Sequence, residues 1–477
     1  MFEFTFQFDT ENHQHLYEQI YTYIKNEIRE GKLPCGEKLP SSRALAEYLQ
    51  VSRSTVCLAY EQLLSEGYVE TKPYKGYYVC EISELQKMKI GEEKTATSVC
   101  YVEKNDMENI DADAAYIDFS PNAVDMRYFP FDTWRRTSKN VLMDDKSELF
   151  SLGHPQGEVK LRNTIANYLH QSRGVVCHPE QIVIGAGNDY LLMLLGQMFK
   201  RDTIVAMEDP TYLRAYRMFS SFGWQVETVG MDESGMCVEE IYQTKASLAY
   251  AMPSHQFPIG TIMPIGRRVE LIKWAKQENE RYIIEDDYDS EFRFKGKPIP
   301  ALAANDAEKV IYIGSFSKSV APSIRVSFMV LPEKLLQLYH RKCGYLACTV
   351  SRVDQMILQE FIDSGSFARY LNKMRKRYKE KHDLLLTELK AFQAYYDVSG
   401  TEAGLHILLS SKTGLPEKML VELAKREGVK VYALSQNCRE QNMAHDNTVL
   451  LGFGKLTEEE IKKGIEALKR AWLSHDI

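Results

Sequence analysis

Residues 310–325 read VIYIGSFSKSVAPSIR: an apolar strand and a glycine lead to Lys318, with Arg325 seven residues further on. Side chains that follow a strand in an α/β protein lie at the carboxyl edge of the sheet, where ligands bind. A lysine held there, partly desolvated, has a lowered pKa and can attack an aldehyde. Ser315, Ser317 and Arg325 suit a phosphate. Pyridoxal phosphate carries both groups, although a surface lysine after a loop remains the alternative for this pattern alone.

Other strand ends carry side chains that suit the same cofactor. Gly187 and Asn188 lie between a strand and a helix, where backbone N–H groups can hold a phosphate. Tyr212 could stack on a ring, Asp286 could keep a pyridine nitrogen protonated, and Tyr288 could donate to the phenolic oxygen. Each has an ordinary alternative: a packing turn, a core aromatic, or solvated or metal-binding acids. Their occurrence together, in one order, favours the cofactor.

Composition limits the class of protein. The chain has 477 residues, a net charge of -7 and a sequence pI near 6.0, so nothing global indicates a nucleic-acid partner. Its start does not resemble a signal peptide, and no apolar run is long enough for a membrane span. Nine cysteines are scattered without metal-ligand spacing. We expect a cytoplasmic protein with reduced thiols, no structural metal and no membrane partner.

The first 82 residues predict a winged helix-turn-helix. Apolar spacing predicts a helix over 16–30, a second after Pro40, and a third capped by Ser52. Two strands, 68–71 and 76–79, then form a wing. A small helical accessory domain is the alternative, since residues 1–82 carry eight Lys and Arg against twelve Asp and Glu. Residues 38–58 are nevertheless locally basic.

Residues 83–115 are polar and acidic and are interpreted as a solvated linker, which leaves 116–477 as the second domain. Strands and helices alternate there to about residue 330. The chain then becomes mainly helical, and the basic run 373–381 is interpreted as a solvated helix face, with nucleic-acid contact as the minor alternative.

The string LPSSRALAEYLQVSRSTVCLAYEQLLSEGYV, with a glycine in the following wing, resembles the winged helix of the GntR superfamily of bacterial regulators. The resemblance implies a double-stranded DNA operator as partner. It also implies DNA contacts by the following residues: Ser42, Arg43, Ser52, Arg53, Ser54, Thr55, Lys75 and Gly76.

Residues 117–477 resemble the fold-type-I aminotransferases: a large domain with a mostly parallel sheet and a small α+β C-terminal subdomain. The segments MPSHQFPIGTIMP, IIEDDYDSEFRF and GSFSKSVAPSIRVSFMVLP, joined to the GntR-like head, are similar to MocR/GabR-type regulators. The resemblance implies Lys318 as the Schiff-base lysine and Arg214 as a contact for an effector carboxylate; a solvated arginine is the alternative for Arg214. It assigns the cofactor to Gly187, Asn188, Tyr212, Asp286, Tyr288, Ser315, Ser317 and Arg325.

Three positions depart from related patterns. Phe257 replaces the asparagine usual in aminotransferases, a change that the regulators share and that favours sensing over turnover. Gln436 stands where γ-aminobutyrate-binding members carry a second arginine, with Arg439 offset. Leu152 replaces a tyrosine that reaches the partner subunit's phosphate.

The expected function is therefore a homodimeric transcription regulator that senses an amine, an amino acid or pyridoxal phosphate itself through aldimine exchange at Lys318. A genuine aminotransferase with an accessory head is the first alternative. A regulator that no longer holds the cofactor is the second.

Overall fold

A computed structural model describes residues 15–73, 75–81, 116–143, 147–294, 299–439 and 446–473. The chain divides into two compact units, 1–110 and 111–477. The division falls inside the predicted linker, which itself lies outside the described residues. Within the described ranges, every helix is too short or too polar to span a bilayer.

The first unit has the predicted order of elements. Its helices and strands are α1 (Leu16–Arg29), α2 (Ser42–Leu49), α3 (Arg53–Ser65), β1 (Val69–Lys72) and β2 (Gly76–Val79). Ser41 caps α2 and Ser52 caps α3, each accepting a backbone N–H. Gln50 adopts a left-handed φ of 54° and closes the tight turn between the two helices. β1 and β2 pair antiparallel, from Val69 opposite Val79 to Lys72 opposite Gly76, as a wing requires.

One apolar stripe from each helix builds the core of this unit. Ile20, Ile24 and Ile28 of α1 pack with Val56 and Leu63 of α3, all buried. These positions recur at helical spacing, so a single face of each helix is buried in the core. Three of the predicted DNA contacts, Arg53, Ser54 and Thr55, lie at the start of α3 and are exposed or half-buried.

The second unit is built on a large sheet. Its strands in the first part are β3 (Ile117–Asp118), β4 (Ile182–Ala186), β5 (Ile204–Glu208), β6 (Gln225–Val229), β7 (Met231–Asp232), β8 (Gly235–Met236), β9 (Leu248–Ala251), β10 (Tyr282–Asp287), β11 (Val310–Ser315) and β12 (Val326–Val330). Seven of them form one sheet in the order β4-β12-β11-β10-β9-β5-β6.

Five strands of this sheet, from β11 to β6, are parallel, and β12 runs antiparallel to both β11 and β4. The carboxyl ends of the parallel strands and of β4 therefore meet at the edge where β12 begins. Lys318 after β11 and Arg325 before β12 share that edge for this reason. Along β10 and β11, consecutive residues enter two different apolar clusters, one on each face.

Helices cover both faces of the sheet, as parallel strands require. The described α-helices of this unit are α4 (Phe131–Leu142), α5 (Val159–Arg173), α6 (Asn188–Met198), α7 (Leu213–Ser221), α8 (Val238–Ile241), α9 (Ile265–Lys276), α10 (Glu333–Cys343), α11 (Arg352–Asp363), α12 (Ser366–Glu388), α13 (Glu417–Arg426) and α14 (Glu458–Leu473). The late strands are β13 (Tyr396–Ser399), β14 (His406–Ser411), β15 (Val429–Lys430), β16 (Tyr432–Ala433) and β17 (Thr448–Gly452). β13, β14, β17 and β16 form the small C-terminal sheet, so the predicted α/β class is confirmed.

The interpretation of residues 373–381 as a solvated face was wrong at Lys381. This side chain is only 1% exposed, and its Nζ lies 2.7 Å from Asp125 Oδ2 and donates to the Gly454 carbonyl. Met374 and Tyr378 on the same face are buried as well. The run is basic in composition, but the helix turns one of its lysines into the core, where a buried carboxylate compensates the charge.

Candidate functional site

A cavity of about 340 Å³ opens at the carboxyl edge of the sheet. It brings together side chains from six separate stretches of the chain, because successive strands end at this edge. The residues of the predicted cofactor site that line it are Gly187, Asn188, Tyr212, Asp286, Tyr288, Ser315, Ser317, Lys318 and Arg325. Further lining residues are Asn122, Asp189, Arg214, Met252, Phe257 and Pro322.

Lys318 reaches into this cavity with an amino group that is shielded from water. Its Nζ is buried and has no hydrogen-bond partner within the described residues. It lies 4.4 Å from the ring centre of Tyr288 and 3.8 Å from Asp289 Oδ2. Burial lowers the pKa of Lys318, while the carboxylates of Asp289 and Asp286 oppose this shift. The result is an amine that is more easily deprotonated, and therefore more nucleophilic, than an exposed lysine.

Asp286 is held by two donors at the end of β10. Asn188 Nδ2 donates to Oδ1 at 3.2 Å, and Tyr250 Oη donates to Oδ2 at 2.6 Å. Burial raises the pKa of Asp286 to about 6, with the two hydrogen bonds acting in the opposite direction. A carboxylate in this state is ready to pair with a cationic N–H from a ligand, because such a partner would compensate its desolvation.

The other end of the cavity is built for an anion. Gly187 has a φ of 89° and precedes α6, whose first N–H groups point out of the helix. Arg325, itself at a left-handed φ of 53°, donates from Nη2 to the Ala186 carbonyl at 3.2 Å. A Cβ on residue 187 would lie 2.7 Å from the Arg325 Cζ, so glycine is needed for the guanidinium to fit. Ser315 Oγ accepts from the Ser317 N–H, which fixes the turn before Lys318.

Arg214 lies at this same end of the cavity. Its Nη1 is 3.3 Å from Asp189 Oδ2, and Arg325 Nη2 is 3.5 Å from the same oxygen. Both guanidinium groups are at least half exposed, at 60% and 50%. Asp189 therefore pairs with both arginines and holds them beside the start of α6.

Arg439 contacts none of the residues that line the cavity. Its Nη1 donates to the Val226 carbonyl, and its guanidinium lies 5.3 Å from the Tyr216 ring centre.

Three residues behind the cavity were not singled out in the sequence. Tyr250 of β9 donates to Asp286, and His255 and Asp289 form a buried pair next to Tyr288. The alternation of β9 could have identified Tyr250, since it is the polar-tipped residue of an otherwise apolar strand. The pairing of His255 with Asp289 spans 34 positions and depends on the sheet order, so spacing could not indicate it.

The described residues fit pyridoxal phosphate. An amino group without a hydrogen-bond partner, a buried carboxylate and a glycine-guanidinium cradle lie around one cavity. These are the groups needed by an aldehyde, a ring nitrogen and a phosphate respectively.

Part of the predicted DNA-contact set lies close together in the head. Arg53 Nε lies 3.4 Å from Ser42 Oγ, which joins the starts of α3 and α2. Ser52 Oγ lies 2.7 Å from the hydroxyl oxygens of both Ser54 and Thr55. The whole set, Ser42, Arg43, Ser52, Arg53, Ser54, Thr55, Lys75 and Gly76, is exposed or half-buried. Hydroxyls and cations at the start of a recognition helix suit phosphates and base edges.

Comparison with known proteins covers both units. Residues 16–79 match the bacterial regulatory proteins of the gntR family, and residues 115–468 match aminotransferase class I and II. The chain is 41% identical over 459 residues to the HTH-type transcriptional regulator YdeL of Bacillus subtilis, covering 96% of each chain. It is 29% identical over 468 residues to the probable rhizopine catabolism regulatory protein MocR of Rhizobium meliloti, covering 96% of this chain and 94% of that one. The chain superposes on a kynurenine aminotransferase of Pyrococcus horikoshii with a TM-score of 0.68 and 26% sequence identity. The match covers 76% of this chain and 91% of that one.

Proposed function

We propose a sensing role for this chain, which belongs to the aminotransferase class I and II family over residues 115–468 and carries a gntR-family head. It is a DNA-binding transcription regulator of the MocR type whose second domain binds pyridoxal phosphate and responds to a small amine, an amino acid or the cofactor itself. The regulators YdeL and MocR match 96% of this chain, whereas the kynurenine aminotransferase covers 76% of it, which supports this function over that of an enzyme.

The observation that carries the proposal is the Lys318 amino group. It is buried, has no hydrogen-bond partner in the described part of the chain and faces Asp286 and Tyr288 across a cavity. A buried lysine that makes no hydrogen bond, with Asp289 3.8 Å away, is costly to keep charged, and such a lysine is typical of a site where the amine reacts. This feature argues against the reading in which the cofactor site has been lost.

When bound, pyridoxal phosphate supplies an aldehyde for a primary amine and an electron-withdrawing ring. In our assignment Lys318 is the amine that holds it and Asp286 pairs with its ring N–H. Tyr212 covers the ring face, and Tyr288 donates to the phenolic oxygen. Gly187, Asn188, Ser315, Ser317 and Arg325 hold the phosphate.

A competing small amine gives the site a way to signal. If such an amine displaces Lys318, the released amino group can become charged beside Asp289, 3.8 Å away. Arg214 is exposed enough to exchange Asp189 for a ligand carboxylate. These changed contacts favour one arrangement of the protein, since a ligand shifts an equilibrium only by its differential affinity for the two states.

The head would read the operator with the start of α3, where Arg53 and its neighbours lie. Related aminotransferases assemble their sites between two subunits, so we propose a homodimer that binds paired half-sites. A regulator that acts on the chromosome is placed in the cytoplasm.

Two variants of the full-length protein test the two halves of the proposal. A duplex selected by the wild-type protein from a random library serves as the DNA probe, and a panel of amines and amino acids serves as effectors. We expect Lys318→Ala to keep duplex binding but to lose the visible absorbance of bound cofactor and any response to the panel. Arg53→Ala should keep the absorbance and lose the duplex. Wild-type protein without absorbance after incubation with pyridoxal phosphate would contradict the sensor assignment.

A genuine aminotransferase is the second candidate, because the predicted cofactor residues line one cavity and the fold superposes on such an enzyme. Phe257 lines the cavity where those enzymes usually carry asparagine, which removes a polar contact to the cofactor. Steady turnover of an amino donor and a keto acceptor, abolished by Lys318→Ala, would favour this candidate.

A further inference from the structure

His255 and Asp289 form a buried pair directly behind the cavity. Both side chains are only 1% exposed, and His255 Nδ1 lies 3.0 and 3.1 Å from the two carboxylate oxygens of Asp289. The same Nδ1 lies 2.9 Å from the hydroxyl oxygen of Tyr288. Asp289 also lies 3.8 Å from Lys318 Nζ. The His255–Asp289 pair therefore lies next to both Tyr288 and Lys318.

The chemistry of these groups decides which atom donates. An ionised carboxylate can only accept, and the pKa of Asp289 is lowered because His255 and Lys318 outweigh its burial. His255 Nδ1 must therefore carry a hydrogen. The Tyr288 oxygen cannot donate to a nitrogen that already carries one, so it accepts from that N–H. Its own hydrogen is left for another acceptor. Asp289 competes for it, but both carboxylate oxygens of Asp289 already accept from His255 Nδ1, and Tyr288 lines the cavity.

The imidazole has little freedom to leave this position. A Cβ on Gly404 would lie 2.7 Å from His255 Nδ1, and one on Gly260 would lie 3.4 Å from its Nε2. Gly404 has a φ of 78° and lies just before β14 of the small sheet. The ring is thus confined between Gly260 and Gly404, and its tautomer is set by Asp289.

The neighbouring histidine does not compete for this role. His406 of β14 lies 5.5 Å from His255 between ring centres, and its Nε2 donates to the Pro258 carbonyl. Burial lowers the pKa of His406 to about 3, so this ring is neutral. Asp289, Tyr288, Lys318 and His406 are thus the titratable groups next to His255 within the described residues.

We propose that His255, oriented by Asp289, is the positioning residue that directs the Tyr288 hydroxyl hydrogen into the cavity. The inference rests on the proposed function, because the acceptor is the phenolic oxygen of the cofactor. It gives His255 a role that it exerts through Tyr288 and not through the residues assigned to the phosphate. It also supplies a polar support for the phenolic oxygen in a cavity where Phe257 offers none.

The test measures the pH midpoint of the visible absorbance of protein reconstituted with pyridoxal phosphate. A hydrogen bond donated by Tyr288 favours the deprotonated chromophore, so Tyr288→Phe should raise the midpoint by about 1 pH unit. His255→Leu should raise it in the same direction. The double variant should equal Tyr288→Phe alone, because His255 acts only through that hydroxyl. His255→Asn keeps a donor close to the Nδ1 position and should restore the wild-type midpoint.

His406→Gln is the matched control, since it alters the neighbouring buried histidine but keeps a donor for Pro258, and its midpoint should not move. If His255→Leu does not fold, His255→Gln is measured in its place. The glutamine amide extends beyond the Nδ1 position, so the midpoint should rise as for His255→Leu. The inference is overturned if His255→Leu, or His255→Gln in its place, keeps the wild-type midpoint, if Tyr288→Phe does, or if the two shifts add in the double variant. Those results leave the proposed function intact. Absence of the chromophore in wild-type protein would instead overturn the proposed function itself.

Discussion

Gly187→Ala is the sharpest perturbation of the proposed phosphate site. Residue 187 has a φ of 89°, where a side chain is strained, and its Cβ would lie 2.7 Å from the Arg325 Cζ. The backbone on both sides is held by β4 and α6, so the guanidinium and not the chain must move. Arg325 would lose its place over the start of α6, where the phosphate is expected.

Two costs of different kind follow. The left-handed conformation costs an L-residue about 1–2 kcal/mol, which lowers stability whether or not a ligand is bound. Displacing Arg325 removes a charge-assisted hydrogen bond to the phosphate, worth about 1.5–3 kcal/mol. Since 1.4 kcal/mol corresponds to a factor of ten, we expect cofactor affinity to fall by about 10- to 100-fold.

The assay is a titration of cofactor-free protein with pyridoxal phosphate, followed by absorbance, together with a thermal melt of each protein. Gly428→Ala is the matched control, because residue 428 has a φ of 73° but no atom within 4 Å of the added Cβ. It should lose a comparable amount of stability and keep its affinity. Wild-type affinity in Gly187→Ala, or an equal loss of affinity in both variants, would refute the assignment of the phosphate to Arg325.

Further predictions concern Arg214, the Lys318–Asp289 pair and the head. Arg214→Ala should weaken a carboxylate-bearing effector by about 10-fold or more in the absorbance titration, and an unchanged titration would make it an ordinary solvated arginine. The rate at which pyridoxal phosphate attaches to Lys318 should rise with pH and reach its midpoint below that of a free lysine, because burial lowers the pKa of this amine. Asp289→Asn should move that midpoint to still lower pH, since the carboxylate raises the lysine pKa; a midpoint that moves upward would contradict the ion pair. Leu63→Ala, at a fully buried position of α3, should destabilise the head by about 2–5 kcal/mol and abolish binding to the selected duplex. Because the head is a separate compact unit, the cofactor absorbance should persist, and its loss would show that the two units unfold together.

Much of the fold could be predicted from local pattern. Helical spacing identified the buried stripe of α3, and serines at helix starts marked the caps that the structure shows. Apolar runs ending in glycine, serine or aspartate identified β4, β10 and β11. Since the carboxyl ends of parallel strands share one edge, the residues after those strands could be expected to meet. They line one cavity, so the predicted cofactor residues could be grouped without knowledge of side-chain packing.

The same reasoning fails where a contact depends on how elements pack. The position of Lys381 in a basic run indicated solvent, yet the rotation of α12 places it against Asp125, 256 positions away. Composition shows how many charges a helix carries, but only packing decides which of them turn inward.

The sequence by itself determined the order of elements, the two-part organisation and the identity of the residues at the strand ends, because these depend on local periodicity and on the direction of each strand. Only the tertiary structure decided that Asp189 gathers Arg214 and Arg325, and that Asp289 fixes His255 against Tyr288. The reason is that hydrogen-bond direction and charge compensation depend on distances of about 3 Å between side chains. Such distances are set by the packing of the whole sheet and not by any one stretch of residues.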